Sequence, residues 1–160
     1  MLTPTALASE ARRYEGTVWR VVEAQHRIST NRLAASLDDQ ARLEALAEAA
    51  KPDLPKEAKG LHFLLSSPFR YGHRTASRFR RADERPGIFY ASEVESTAIA
   101  ETAYWRLRFF LRSLGFVPPS TTTEHSSFTA KVRTDHAIDL TLAPFVEDTA
   151  LWTHKSDYAA

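Results

Sequence analysis

Gly87–Arg106 reads GIFYASEVESTAIAETAYWR, and the hydrophobic period changes partway along it. Ile88–Ala91 is a short apolar and aromatic run of the kind that forms a strand. Ser92-Glu93-Val94-Glu95 has the capping-box form, with Ser at the cap and Glu three residues later. The helix it opens is predicted to run to about Leu114, where Gly115 suits the residue just past a helix end. At about 100° per residue, Ile99, Ala103, Leu107, Phe110 and Leu114 make one apolar stripe. Glu101 lies nearly opposite, beside Val94, Ala98, Tyr104 and Trp105. It is the only acid between Glu95 and Glu124. Periodicity alone reads such a residue as a solvent-exposed glutamate.

Working outward, Trp19–Ala24 (WRVVEA) reads as a strand. Ser29, Thr30 and Asn31 are cap-type residues before NRLAASLDDQ. A second helix start, Ser36-Leu37-Asp38-Asp39, leads into QARLEALAEAAK, where Leu43, Leu46, Ala47 and Ala50 recur at helical spacing. Lys51-Pro52 and Pro55 stop it. Leu61–Ser66 (LHFLLS) is predicted to be a buried strand closed by Ser67-Pro68, followed by a loop over Phe69–Arg85. Ser120–Thr123 reads as loop. Phe128–Val132 and Ala137–Leu142 are expected to pair as a hairpin around Thr134-Asp135-His136. The fold class is therefore α+β, a small mixed sheet with flanking helices. In HKSDYAA, the cap types Ser156 and Asp157 stand before Tyr158-Ala159-Ala160, as at the start of a helix, and the expectation is a chain shortened at its C-terminus.

Composition narrows the function classes. The chain of 160 residues, 43% hydrophobic and 26% charged, has the profile of one globular domain, and at that length roughly 68–70% of the extended surface is buried on folding. A net charge of +1 gives no global reason to expect nucleic acid or membrane. No run reaches transmembrane length, the N-terminus lacks the apolar region of a signal peptide, and the absence of cysteine excludes disulfides and thiolate metal sites. These features fit a cytoplasmic protein. The six histidines show no paired spacing, so no metal is expected. There is no GxGxxG, no phosphate-binding loop ending in GK[ST] and no GxSxG.

The charged residues are distributed unevenly. RYGHRTASRFRR, Arg70 to Arg81, carries Arg70, Arg74, Arg78, Arg80 and Arg81, a local positive field in a nearly neutral chain. Guanidinium forks hold phosphates through paired hydrogen bonds. The same composition also suits a solvated basic loop or a nucleic-acid patch.

Taken in order, several segments resemble the RES domain family, toxins of bacterial toxin–antitoxin pairs. They are WRVVEAQHRIST (19–30), LHFLLSSPFRYG (61–72), ASRF (76–79), PGIFYASE (86–93) and STAIAETAYWRLRF (96–109), with a likeness continuing through Asp139–Pro144 to HKSDYAA. The resemblance covers nearly the whole chain, 1–160 as a single RES-type domain. It implies a fold like that of the ADP-ribosyltransferases and an activity that degrades NAD+, by hydrolysis or phosphorolysis. It implies Arg78, Tyr90 and Glu101 as catalytic residues, the last eleven residues after the tyrosine as in the family. Arg78 would bind the pyrophosphate and Tyr90 the nicotinamide, with Arg70 and Arg81 as further substrate-binding residues. NAD+ is then substrate, and no cofactor is required.

The implied partner is an Xre-type helix-turn-helix antitoxin, without direct nucleic-acid binding by this chain. Many members have Trp-Asn after the arginine, where this chain has Phe79-Arg80. The family's serine lies beyond the DYAA motif, and none of Ser126, Ser127 and Ser156 sits in its context. The competing readings are an ADP-ribosyltransferase acting on a protein or small molecule, and an inactive fragment that only binds the antitoxin.

Overall fold

The computed structural model describes residues 4–24, 33–117 and 122–154. In chain order the elements are α1 (Pro4–Ser9), β1 (Arg12–Glu23), α2 (Leu37–Ala49), a 3-10 turn at Lys56–Ala58, α3 (Phe63–Arg70), α4 (Glu95–Arg112), β2 (His125–Ala137), a 3-10 turn at Phe145–Asp148 and α5 (Thr149–Trp152). The class is α+β, with β1 and β2 forming a two-stranded antiparallel sheet. The end of β1 meets the start of β2, where the Ala24 amide donates to the Glu124 carbonyl at 2.9 Å.

The described chain divides into two compact units. One gathers the chain up to Thr17, Gly60–Phe89 and the chain from Lys131. The other holds Val18–Lys59 and Tyr90–Ala130.

In the second unit, α2 begins where the second helix start was read. Ser36 caps it, its hydroxyl accepting from the Asp39 amide at 3.1 Å, and Asp38 and Asp39 sit favourably in the first turn. Ser29–Asn31 lie outside the described residues. The strand read at Trp19–Ala24 is present but starts earlier, at Arg12. Polar Arg12–Glu15 joins because its outward residues alternate with half-buried Tyr14 and Gly16.

Several sequence expectations are corrected. Ile88–Ala91 forms no regular strand. A single antiparallel bridge, Ser92 with Trp19, does the pairing. The capping box does not form either, because Ser92 is spent on that bridge. Val94 is the cap residue without a side-chain bond, while the Ser92 hydroxyl accepts from the Val94 amide at 3.2 Å. Helix α4 ends at Arg112 rather than Leu114, and Gly115 takes the left-handed φ of +75° just beyond.

The face of α4 that turns inward is not the apolar stripe. Its one buried residue is Ala98, and half-buried Glu95, Thr102, Arg106, Phe110 and Ser113 continue that line. Leu107 is 60% exposed and Leu114 fully so. A polar bond ties this face to β1: Arg106 Nη1 donates to Glu23 Oε2 at 2.9 Å, while the Thr102 hydroxyl bonds back to the Ala98 carbonyl within the helix at 2.9 Å.

In the first unit, Leu61–Ser66 is not a strand. Phe63–Arg70 is helical, and the helix continues through Pro68, so the loop expected from Phe69 starts only after Arg70. A short apolar run does not distinguish buried strand from helix by period alone. Here a cap decides it: the His62 side chain accepts from the Leu64 amide at 3.3 Å, and the Ser67 hydroxyl bonds back to the Phe63 carbonyl at 2.6 Å.

The hairpin expected around Thr134-Asp135-His136 is likewise absent. His125–Ala137 is one strand, in which half-buried Phe128, Ala130, Val132 and Thr134 keep an unbroken period of two through the supposed turn. Phe145, 2% exposed, anchors the region after β2, and its carbonyl accepts from the Trp152 indole at 3.1 Å. The Ser156–Ala160 helix start lies outside the described residues.

Pro86-Gly87 is held against the end of α3. The Gly87 amide donates to the Phe69 carbonyl at 3.4 Å, and Phe69 and Phe89 stack with centroids 6.4 Å apart. The Pro68 and Tyr71 carbonyl oxygens occupy the space a Cβ on Gly87 would need. Both are backbone atoms, so nothing flexible can yield. Gly87→Ala is expected to destabilise the protein by about 1–3 kcal/mol or more, read as a lowered midpoint in urea denaturation. An unchanged midpoint would show that the backbone gives way there.

Candidate functional site

The site is built in the second unit on β1. Trp19 and Ser92 exchange both backbone hydrogen bonds, at 2.6 and 2.9 Å, which fixes the segment just before α4 against the strand. The next residue along β1 is Arg20. Its Nη1 donates to the Tyr90 carbonyl at 2.9 Å, across 70 positions of sequence. The same guanidinium lies in the field of the Glu101 carboxylate, less than two turns into α4. Burial pushes the Arg20 pKa down, and Glu101 opposes that shift. A desolvated cation gains most from a nearby anion, because water no longer solvates it fully.

The Arg20 guanidinium thus bonds the backbone carbonyl of Tyr90 and lies in the field of the Glu101 carboxylate. Tyr90 is half-buried and Glu101 exposed, as periodicity alone reads it. The neighbouring aromatic rings engage a different charge. Tyr104 and Trp105 meet edge to face at 5.5 Å, and the Arg108 guanidinium lies 5.9 Å and 5.1 Å from their ring centroids, in cation–π range.

Arg78, Arg70 and Arg81 belong to the first unit. Arg78 sits in a tight turn closed by two hydrogen bonds between Ser77 and Arg80, at 3.0 and 2.9 Å. Its Nη2 donates to the His154 carbonyl at 2.8 Å. Phe79 next to it takes a φ of +63°, rare for a bulky residue, with its ring 6.3 Å from that of Trp152. Arg70 ends α3, and the Arg81 amide donates to Glu84 Oε2 at 3.3 Å.

Among the described residues no group of three His, Asp or Glu side chains is placed to hold a metal ion, and no helix is long and apolar enough to cross a membrane.

Arg20 is the residue that sequence reasoning missed. The signal was present: a single guanidinium inside the apolar run of Trp19, Val21 and Val22 is costly to desolvate without a partner. It was legible only as part of a strand, because its partners come from residues 70 and 81 positions away.

A model of the RES domain matches residues 54–160, which is more than half of the chain and takes in Arg70, Arg78, Arg81, Tyr90 and Glu101. No curated protein matches the chain.

The Arg20–Glu101 interaction is accessible to a double-mutant cycle. Arg20→Met, Glu101→Gln and the double variant, unfolded in urea, are expected to give a coupling of about 0.5–1 kcal/mol, moderated by solvent at Glu101, that shrinks as salt is raised. Strict additivity would mean that the two side chains are independent.

Proposed function

The chain belongs to the RES domain family, whose domain is the toxin of RES-Xre toxin–antitoxin systems, and from that premise we propose that it degrades NAD+ by cleaving the nicotinamide–ribose bond. What supports the reading, beside the family, is that the half-buried Arg20 guanidinium holds the Tyr90 carbonyl and lies in the field of the Glu101 carboxylate.

The chemistry asks little of the protein. Nicotinamide in NAD+ is already a cationic leaving group. As the ribose C1′–N bond breaks, nicotinamide departs with the bonding pair and becomes neutral, while positive charge develops on the sugar, as in glycoside cleavage. A carboxylate held nearby stabilises that charge in the transition state more than in the ground state. Glu101 takes this role. Arg20 fixes the position of Tyr90 through its carbonyl, and Tyr90 orients the nicotinamide. Water or phosphate then adds at C1′, releasing a proton when water is the acceptor. Arg78 binds the pyrophosphate, with Arg70 and Arg81 as further contributors, because guanidinium forks match phosphate oxygens.

Activity of this kind depletes NAD+ in the cytoplasm and has to be silenced. The partner we propose is an Xre-type helix-turn-helix antitoxin with acidic or carboxylate-bearing groups for the Arg-rich loop.

The test is nicotinamide release from NAD+ by the purified chain, with and without phosphate, beside Glu101→Ala and Glu101→Gln. Both variants are expected to lose about 10²–10³-fold in rate while keeping the wild-type circular dichroism spectrum. Release that survives in both would remove Glu101 from the chemistry, and no release from the folded wild-type chain would sink the reading. Label transferred from NAD+ to a protein, in place of free product, would identify an ADP-ribosyltransferase.

A further inference from the structure

The outer face of α4 is apolar and uncovered. Within about 40° of the line opposite buried Ala98, at 100° per residue, stand Ser96, Ala100, Ala103, Leu107 and Leu111, all of them exposed. Leu107 is 60% and Leu111 86% exposed. No charged residue falls on this line. Steps of three and four residues between apolar positions are those of a seam between paired helices. A contiguous apolar patch of this kind on a folded domain marks a surface that a partner covers.

Two gradients run along the face and identify the partner. The first is size. Ser96, Ala100 and Ala103 make the N-terminal half small, and Leu107 and Leu111 make the C-terminal half large. The second is charge. The acids of α4, Glu95 and Glu101, lie in its first half, and Arg106, Arg108 and Arg112 lie in its second. Both gradients are matched when a second copy of the helix packs antiparallel. About a twofold axis level with Trp105, Ala103 of one copy faces Leu107 of the other, and Ala100 faces Leu111. Each leucine fills the space above an alanine, as alternating large and small residues do across a close-packed contact. In a parallel pair leucine would meet leucine, and the alanines would leave a gap. The antiparallel pair also opposes the two helix dipoles and sets the acidic half of each helix beside the basic half of the other.

We propose that the outer face of α4 is a homodimer seam, covered by the same face of a second copy of this chain in antiparallel register, with Ala103 against Leu107. The contact is isologous, so one twofold axis satisfies both halves of the face and closes the assembly at two copies. The proposal stands apart from the NAD+ reading, and none of the residues assigned there lies on the seam. A helix of 18 residues offers a face about 27 Å long. One such face makes an interface at the small end of the range, so dissociation constants of the order of micromolar are expected.

The test is sedimentation equilibrium of the full chain over a series from about 1 to several hundred μM, which brackets micromolar dissociation constants. The wild type is expected to pass from monomer to dimer and no further. Leu107→Ala opens a gap opposite Ala103, and Ala103→Leu puts two leucines where one fits. Each is expected to weaken the dimer about tenfold or more. The double variant exchanges the two residues, so that a leucine again faces an alanine. It is expected to return to within about threefold of the wild type, a coupling that independent sites do not show. Both positions are exposed, and far-UV circular dichroism reports whether each variant is folded.

Ala103→Leu adds apolar surface to the face. If the face were merely sticky, that variant would dimerise more tightly, and such a result overturns the pairing. So does a double variant as weak as the two single effects combined. A wild type that stays monomeric throughout overturns the second copy as occupant and leaves the face to another part of the chain or to a different protein. Assembly beyond the dimer overturns the closed twofold contact. None of these outcomes depends on nicotinamide release.

Discussion

The backbone bridge between Trp19 and Ser92 is the constraint on which the candidate site depends. Two hydrogen bonds at 2.6 and 2.9 Å join residues far apart in sequence, and each such bond contributes only about 0.5–1.5 kcal/mol net. Their importance is geometric. An antiparallel pair that exchanges both bonds fixes the register on either side of it. One step along β1 that register brings the Arg20 side chain to the Tyr90 carbonyl, and a few residues past Ser92 it sets where α4 begins. Shifting the register by one residue would send Arg20 to the other face of the strand.

The orientation of α4 follows from the same attachment. An amphipathic helix ordinarily turns its apolar stripe inward, yet here Ala98 is buried while Ile99 and Leu107 are at least half exposed. Apart from Phe110, the residues on the inner face are polar or small. Arg106 reaches Glu23, Thr102 bonds within the helix, and Ala98 allows close approach. Glu101 stands about 60° around the helix from Ala98, which keeps its carboxylate in the field of Arg20 while leaving it exposed. Had the apolar stripe turned inward, Glu101 would point away from β1 and its carboxylate would leave the field of Arg20.

How much of this the sequence reveals depends on the range of the forces involved. Local signals are legible: the Ser36 cap of α2, the stop after Ala49, the long helix after Val94 and the left-handed Gly115. The α+β class and the family resemblance follow from such segments taken in order. Features decided by distant partners are not legible. Leu61–Ser66 has the composition of a buried strand, and only the His62 cap and the serine back-bonds make it helical. Thr134-Asp135-His136 has turn composition, and only pairing with β1 keeps it extended. The Ser92 capping box is a correct local pattern overruled because its residue is used in a bridge to Trp19. Tyr90 and Glu101 come from the family resemblance, since periodicity alone does not single them out. Arg20, which ties them together, has no local signature beyond being a charge in an apolar strand.

The arginine loop shows the same limit in electrostatic form. Composition places five guanidiniums between Arg70 and Arg81 and treats them as one positive field, but folding makes them unequal. Arg70 closes a helix, Arg74 stays exposed, Arg78 is taken up by a carbonyl of the distant chain segment at His154, and Arg80 is carried inward without an acceptor. A field of exposed charges is screened within about 10 Å at ordinary salt and discriminates poorly among anions. A partly desolvated guanidinium in a hydrogen-bonded turn is screened less and presents its donors in a fixed direction. The five arginines of the loop are therefore not interchangeable, and counting them says little about what any one of them does.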